Sequence, residues 1–292
     1  MNQRVSVDSM VRGTVVGWLM GGVLLAAGGT FEEAAKLYHH TEFEASLRVL
    51  SALPDKDARV FDLMGKNYFM LGDFKKSSEI YERAVAADPN DSEYEYWLGK
   101  AYGRRAETSS PFTAPGLASK ARQHFERAVE LNSKNKDAAE DLFEYYLEAP
   151  GFLGGGMDKA TKMAGRIAEL DPAEGLWAQF RIAERHKDYT KAEDQLRRAV
   201  AVAPTKVGRV LELAKFLSKR GRVEESEQTF RAAERIAPDN PRLLYHRAEA
   251  YVHAGRNLDT ARDLLRRYLS ASLSPDDPPR TDAQKLLKQA GG

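Results

Sequence analysis

The sequence predicts an all-α fold, built as a stack of about seven helical hairpins, and three observations carry that prediction. Apolar residues recur at i, i+3 and i+7 on pairs of short segments, as on one face of a helix. The pairs repeat with a period of about 34 residues. Small residues return at the same places in each pair, where two helices have to approach closely. The chain has 292 residues, 42% of them hydrophobic and 30% charged, which suits an extended array with a buried core and argues against long disorder.

Residues 58–91 spell the unit most clearly. Phe61, Met64 and Tyr68 mark one helix; Phe74, Ser77, Tyr81 and Ala84 mark the next. Gly72-Asp73 makes the turn between them, glycine ending a helix at positive φ. Asp88-Pro89-Asn90-Asp91 closes the second helix and opens the following unit, since proline fits a first turn but not a helix interior. Small Gly65, Ser77 and Ala84 let the helices meet while the large residues fill the gaps.

The pattern returns one period later. Leu98-Gly99 and Tyr102 repeat Met64-Gly65 and Tyr68, and Ala121, Phe125 and Ala128 repeat the second helix. Units are expected at 58–91, 92–135, 136–172, 173–206, 207–240 and 241–272, with a weaker first unit at 30–57. Beyond Pro278-Pro279, residues 273–292 are expected to hold the terminal helix that such stacks need as a polar cap.

These residues resemble the tetratricopeptide repeat, whose aromatic, Leu-Gly, Tyr, Ala, aromatic and Pro positions are filled here by Phe61, Met64-Gly65, Tyr68, Ser77, Tyr81, Ala84 and Pro89. The resemblance covers nearly all of the chain after residue 30. It implies a right-handed α-α superhelix that binds other proteins, with the first helix of each unit lining a concave groove. Aligned units then put Tyr96, Trp177 and Tyr245 in one inward row, Lys66, Lys100, Arg181 and Lys215 one turn further on, and Arg104, Arg185 and Lys219 beyond those. Glu140, Glu144 and Glu148 interrupt the basic run in the fourth unit. The groove is therefore expected to hold a protein or peptide segment of mixed charge that carries acidic groups. Relatives that bind chaperone tails use a Lys/Asn carboxylate clamp, and the second row lacks Asn.

Two units depart from the pattern between their helices. The third has a stretched turn at 103–116, and the fourth has a Pro-Gly…Gly-Gly-Gly turn at 150–157. Equal placement in the repeat puts both on one edge of the stack, with Phe112, Phe152 and Leu153 as candidate contact residues. Cheap insertion into a tolerant loop is the plainer reading.

Residues 1–29 stand apart. Arg4 and Arg12 precede an uncharged stretch whose apolar part, 15–27, is broken by Gly17, Gly21 and Gly22 and followed by small Ala26, Ala27, Gly28 and Gly29. That resembles a cleaved export signal more than a membrane span, with an uncleaved anchor as the alternative. The expected location is exported, periplasmic or membrane-anchored, with membrane contact only through this segment.

The composition narrows the chemistry. A net charge of +1 gives no basic excess for nucleic acid. The absence of cysteine removes disulfides, thiolate metal sites and a Cys nucleophile. Gly154-Gly155-Gly156 lacks the Lys-Ser/Thr of a phosphate loop, and no catalytic, cofactor or metal constellation stands out. The expected function is a non-enzymatic scaffold or adaptor, with a chaperone-like or accessory subunit for secretion or polysaccharide export as the alternative.

Overall fold

The computed structural model describes residues 29–274 and 277–291. The predicted export segment 1–29 thus lies outside the described residues, apart from Gly29. Among the described residues fifteen α-helices pair into seven hairpins and a final helix. The pairs are α1 (Phe31–His39) with α2 (Phe43–Ala52), α3 (Ala58–Met70) with α4 (Phe74–Ala87), and α5 (Ser92–Thr108) with α6 (Ala114–Leu131). They continue as α7 (Lys136–Glu148) with α8 (Met157–Leu170), α9 (Pro172–Arg185) with α10 (Tyr189–Val202), and α11 (Val207–Lys219) with α12 (Val223–Ile236). The seventh hairpin is α13 (Pro241–His253) with α14 (Leu258–Ser270), followed by α15 (Arg280–Gln289). No described helix is long and apolar enough to cross a membrane.

Local chemistry sets the ends of these helices. The Asp57 carboxylate accepts from the Val60 N–H at 3.0 Å to start α3, and Asp73 does the same for Lys76 at 3.1 Å to start α4. Between α3 and α4 the chain turns at Gly72, φ 76°, and the corresponding turns use Gly221 at 73° and Gly255 at 62°. Lys187 holds that same position between α9 and α10 at φ 59°.

Small residues close each hairpin. A Cβ on Gly65 would stand 2.4 Å from the Tyr81 ring, and one on Gly99 would stand 2.6 Å from Phe125. Three hairpins add a buried hydroxyl at the contact: Ser46, Ser77 and Ser226 donate to the carbonyls of Ala34, Gly65 and Ala214 at 2.8–2.9 Å. Tyrosines tie one hairpin to the next. Tyr146 and Tyr251 donate to Glu126 and Glu227 at 2.7 and 2.6 Å, and Tyr102 pairs likewise with Glu82.

The third hairpin corrects one expectation. The stretch 103–116 is not an open loop: α5 runs on to Thr108 and α6 begins at Ala114, leaving 109–113 as the turn. Residues 104–107 (Arg-Arg-Ala-Glu) are good helix formers, and Arg104 pairs with Glu107 at 2.6 Å. The extra residues therefore lengthen both helices. Thr113 and Ala114 donate their N–H groups to the Ser110 carbonyl at 3.0 and 2.9 Å, which fixes the tip and leaves Phe112 96% exposed.

Candidate functional site

The first helices of the second to seventh hairpins, with part of α6, surround a central cavity of about 840 Å³. Residues 277–279, between α14 and α15, close one side of it. Across a second cavity of about 510 Å³ the same residues face Thr41, Phe43 and the end of α3, so the last hairpin comes round opposite the first two. Repeated stacking with a constant rotation produces such a curve, and the inner wall is where a long ligand meets many units at once.

Of the residues expected to face a partner, the cavity brings together Lys100, Arg104, Trp177, Arg181 and Lys215. It does not take in Lys66, Tyr96, Tyr245, Arg185 or Lys219. Tyr96 and Tyr245 are buried, Tyr96 beside Trp97 and Tyr245 against Tyr268 at 5.3 Å. Trp177 reaches the cavity only by an edge. One side meets the Phe143 ring at 5.8 Å, and the Arg209 guanidinium lies 4.3 Å from its centroid. These inward rings act first as core, because a large ring at a helix contact gains more by packing than by waiting in water. Lys66 pairs with Asp62 at 2.8 Å, while Arg185 and Lys219 stand exposed at the helix ends.

Two of the glutamates that interrupt the basic row, Glu144 and Glu148, prove to be counterions of Arg181. Arg181 pairs with Glu144, with Glu148 at 3.2 Å and with Glu184 at 3.7 Å. Lys215 pairs with Glu212 at 3.3 Å. Lys100 sits over the Trp97 ring at 4.9 Å and the Tyr96 ring at 5.4 Å. Burial pushes the Glu140 carboxyl up to about 7, helped by Glu174 beside it and opposed by Arg209. Burial likewise pushes Glu144 up to about 7 in spite of Arg181. His246 is held below its ordinary value, mainly by burial, although Glu249 lies 3.1 Å from its Nδ1.

Arg209 is a cation of the cavity wall that the sequence reading missed. Its Nε donates to Glu174 at 3.1 Å, a second contact to Glu174 follows, and Glu140 lies 3.8 Å away. The Glu174 side chain is only 2% exposed, so this arginine, together with Lys206, neutralises a buried charge while it lines the cavity. A signal for it existed. Other units fill that position with Val60, Tyr94, Ala138, Gly175 and Leu243, and a lone arginine among them is out of pattern.

The two candidate contact loops lie at the hairpin turns. In the fourth hairpin a single 3-10 turn, Gly151–Leu153, leaves Phe152 82% exposed, and Leu153 is half-buried with its carbonyl accepting from Tyr145 Oη at 2.9 Å. Gly155 is required there, since a Cβ would stand 1.8 Å from the Ala149 carbonyl oxygen. The turn packs on α6, with Gly154 against the Arg122 side chain. The third and fourth hairpins therefore meet along this edge.

A superhelical stack of helical hairpins around a ligand-sized inner groove defines a class of interaction scaffold. Models of the tetratricopeptide repeat family match residues 63–136 and 183–243. The chain is a tetratricopeptide repeat protein, of the class that serves protein–protein interaction. It is 32% identical over 110 residues to Protein POLLENLESS 3-LIKE 2 of Arabidopsis thaliana, a match covering 37% of this chain and 23% of that protein. Its fold is similar to that of a tetratricopeptide repeat protein from Parabacteroides merdae, with TM-score 0.61 at 11% identity over 90% of this chain and 97% of that one. A thermophilic tetratricopeptide repeat protein of Thermus thermophilus gives TM-score 0.52 at 19% identity, over 64% of this chain and 96% of that one.

Proposed function

We propose that the protein is a cell-envelope adaptor whose central groove holds a segment of a partner protein, one that carries acidic groups among mixed charge. The cavity itself carries this reading: about 840 Å³, with Lys100, Arg104, Arg181, Arg209 and Lys215 on its wall beside Phe69 and the edge of Trp177. Such a wall offers an extended segment several cations and a few apolar footholds along its length.

The pairing of those cations specifies how binding works. Arg181 is shared among Glu144, Glu148 and Glu184, so a ligand carboxylate replaces one of three acceptors instead of meeting a bare charge. Glu144, held near neutrality by burial, takes up a proton as it gives up the guanidinium. Affinity then rises as pH falls through about 7. A groove for glycans is less well supported, because Phe143 and Arg209 occupy the ring of Trp177 on which a sugar would stack.

The envelope location rests on residues 1–29 alone, and the mass of the mature chain from fractionated cells tests it. For the groove, Gly103 and Gly208 line the cavity and a Cβ on either would meet nothing within 4 Å. Gly103→Phe with Gly208→Phe should fill the groove without disturbing the core. Capture of the partner from envelope extract should fail for this variant at unchanged helicity. Undiminished capture would place binding elsewhere.

A further inference from the structure

The stack has two long edges: one formed by the turns inside hairpins, the other by the connections between them. Of the six large apolar side chains that the described residues expose, four stand on the first edge, one in each of four successive hairpins. They are Leu71 after α3, Phe112 between α5 and α6, Phe152 between α7 and α8, and Tyr189 at the start of α10. The same edge continues into cations. Arg185, Lys187 and Lys219 are exposed, and their side chains make no ion pair among the described residues. Arg220 lies 3.8 Å from the Tyr189 ring centroid, joining the cationic part to the aromatic part.

Most of the nearby acids are engaged, the exposed Glu224 excepted. Glu184 pairs with Arg181, Asp188 caps α10 by accepting from the Lys191 N–H, and Glu193 and Glu225 pair with Arg222. Among the described residues these cations without an ion pair are thus concentrated at the turns of the fifth and sixth hairpins, beside Tyr189. Lys187 adds a further observation. It takes a left-handed φ where three other hairpins use glycine, a conformation that costs a side chain stability. Thr41 takes the same conformation at the first hairpin's turn, φ 62°, so the position admits a side chain, and at the fifth hairpin it sets an ammonium on the exposed tip.

We propose that this turn edge docks on an anionic lipid surface, Leu71, Phe112, Phe152 and Tyr189 entering the headgroup region while Arg185, Lys187, Lys219 and Arg220 meet lipid phosphates. Charge complementarity selects the occupant. The apolar side chains stand singly on outward tips, separated by Gly, Pro, Ser and Thr, without the contiguous dry centre that a protein interface needs. A broad fluid surface can touch every tip in the row and asks for no fitted pocket. Phe112 and Phe152 are held rigid by their turns, so little order is lost on docking. This surface is separate from the groove and does not depend on it.

The absence of native cysteine allows a direct test on the full chain. Gly151→Cys has open space around it and keeps Phe152, and an environment-sensitive dye there reports on the tip alone. Thr205→Cys, exposed on the opposite edge, is the control. Vesicles of equal parts phosphatidylcholine and phosphatidylglycerol should blue-shift the dye at 151 and leave the one at 205 unchanged. Arg185→Glu with Lys219→Glu should weaken the apparent lipid affinity of the tip dye by at least about tenfold, since each basic residue near such a surface contributes about fivefold. Phe112→Ala with Lys187→Gly should weaken it too. A flat signal at 151, or a shift equal on pure phosphatidylcholine and indifferent to charge reversal, overturns the proposal. Should the tip dye ignore vesicles while the same variants lose a co-purifying protein, the edge belongs to a protein partner instead.

Discussion

The groove and the turn edge both hold arginine and lysine, but in opposite circumstances. In the groove Arg181, Arg209 and Lys215 are tied to carboxylates of the same chain. On the turn edge Arg185, Lys187 and Lys219 carry no such partner among the described residues. A count of cations along the sequence rates the two regions alike. What separates them is the neighbouring repeat: Arg181 finds Glu144 37 residues away, and Arg209 finds Glu174 35 away. Stacking brings positions about one period apart into contact, so it pairs these inward charges, while Arg185, Lys187 and Lys219 project from turns beyond its reach.

Removing the cations should expose that difference most strongly. Arg209→Ala leaves the buried Glu174 with Lys206 as its remaining cation and should destabilise the fold by about 1–3 kcal/mol, whereas Arg185→Ala or Lys219→Ala should stay within about 0.5 kcal/mol. Urea denaturation of the three variants measures both, and equal effects would erase the distinction between the two regions. Ala199→Trp and Ala233→Trp probe the scaffold beneath both surfaces. Each position is fully buried at a helix contact, and overpacking should cost about 1–3 kcal/mol or more.

A smaller effect follows from pH. Glu140 and Glu144 titrate at about 7 in the fold against an ordinary value of 4.5. Between those values the folded chain binds more protons than the unfolded one, so these two groups make stability fall as pH rises from about 4.5 to about 7, with no further loss above that. Below that range the trend reverses, because pairing holds Asp171 and Glu193 low and their contribution is lost as acid protonates them. Glu140→Gln should flatten the first slope in melting curves taken across pH. An unchanged slope would mean that the inner wall is wetter than its packing indicates. The smallest effect belongs to the edge: Phe112→Ala with Phe152→Ala should leave stability within about 0.5 kcal/mol, since exposed rings support nothing beneath them.

Much of the fold was legible because its determinants are local or strictly periodic. Gly65, Ser77 and Ala84 announce close helix contacts, Gly72 and Pro89 punctuate, and each pattern returns one period on. The long third hairpin was misjudged because Gly103 and Pro115 read as loop punctuation, although a helix tolerates an isolated glycine and takes proline in its first turn. For the groove, alignment found Lys100, Arg181 and Lys215 but said nothing of their partners. The information was present in part, since Glu174 and Arg209 stand one period apart on stacked helices. The burial of Tyr96 and Tyr245 was not, because helical phase alone does not tell an inner wall from an inner seam.

The central claim is that one scaffold serves protein through its groove and lipid through its turn edge, and a site-specific photo-crosslinker tests it most directly. Placed at Gly208 in cells, it should yield an adduct with a protein segment; placed at Gly151, it should yield lipid adducts. Protein adducts at Gly151 with none at Gly208 would contradict the account, because the partner would then be held on the edge and the groove would be only the inner wall of a stack.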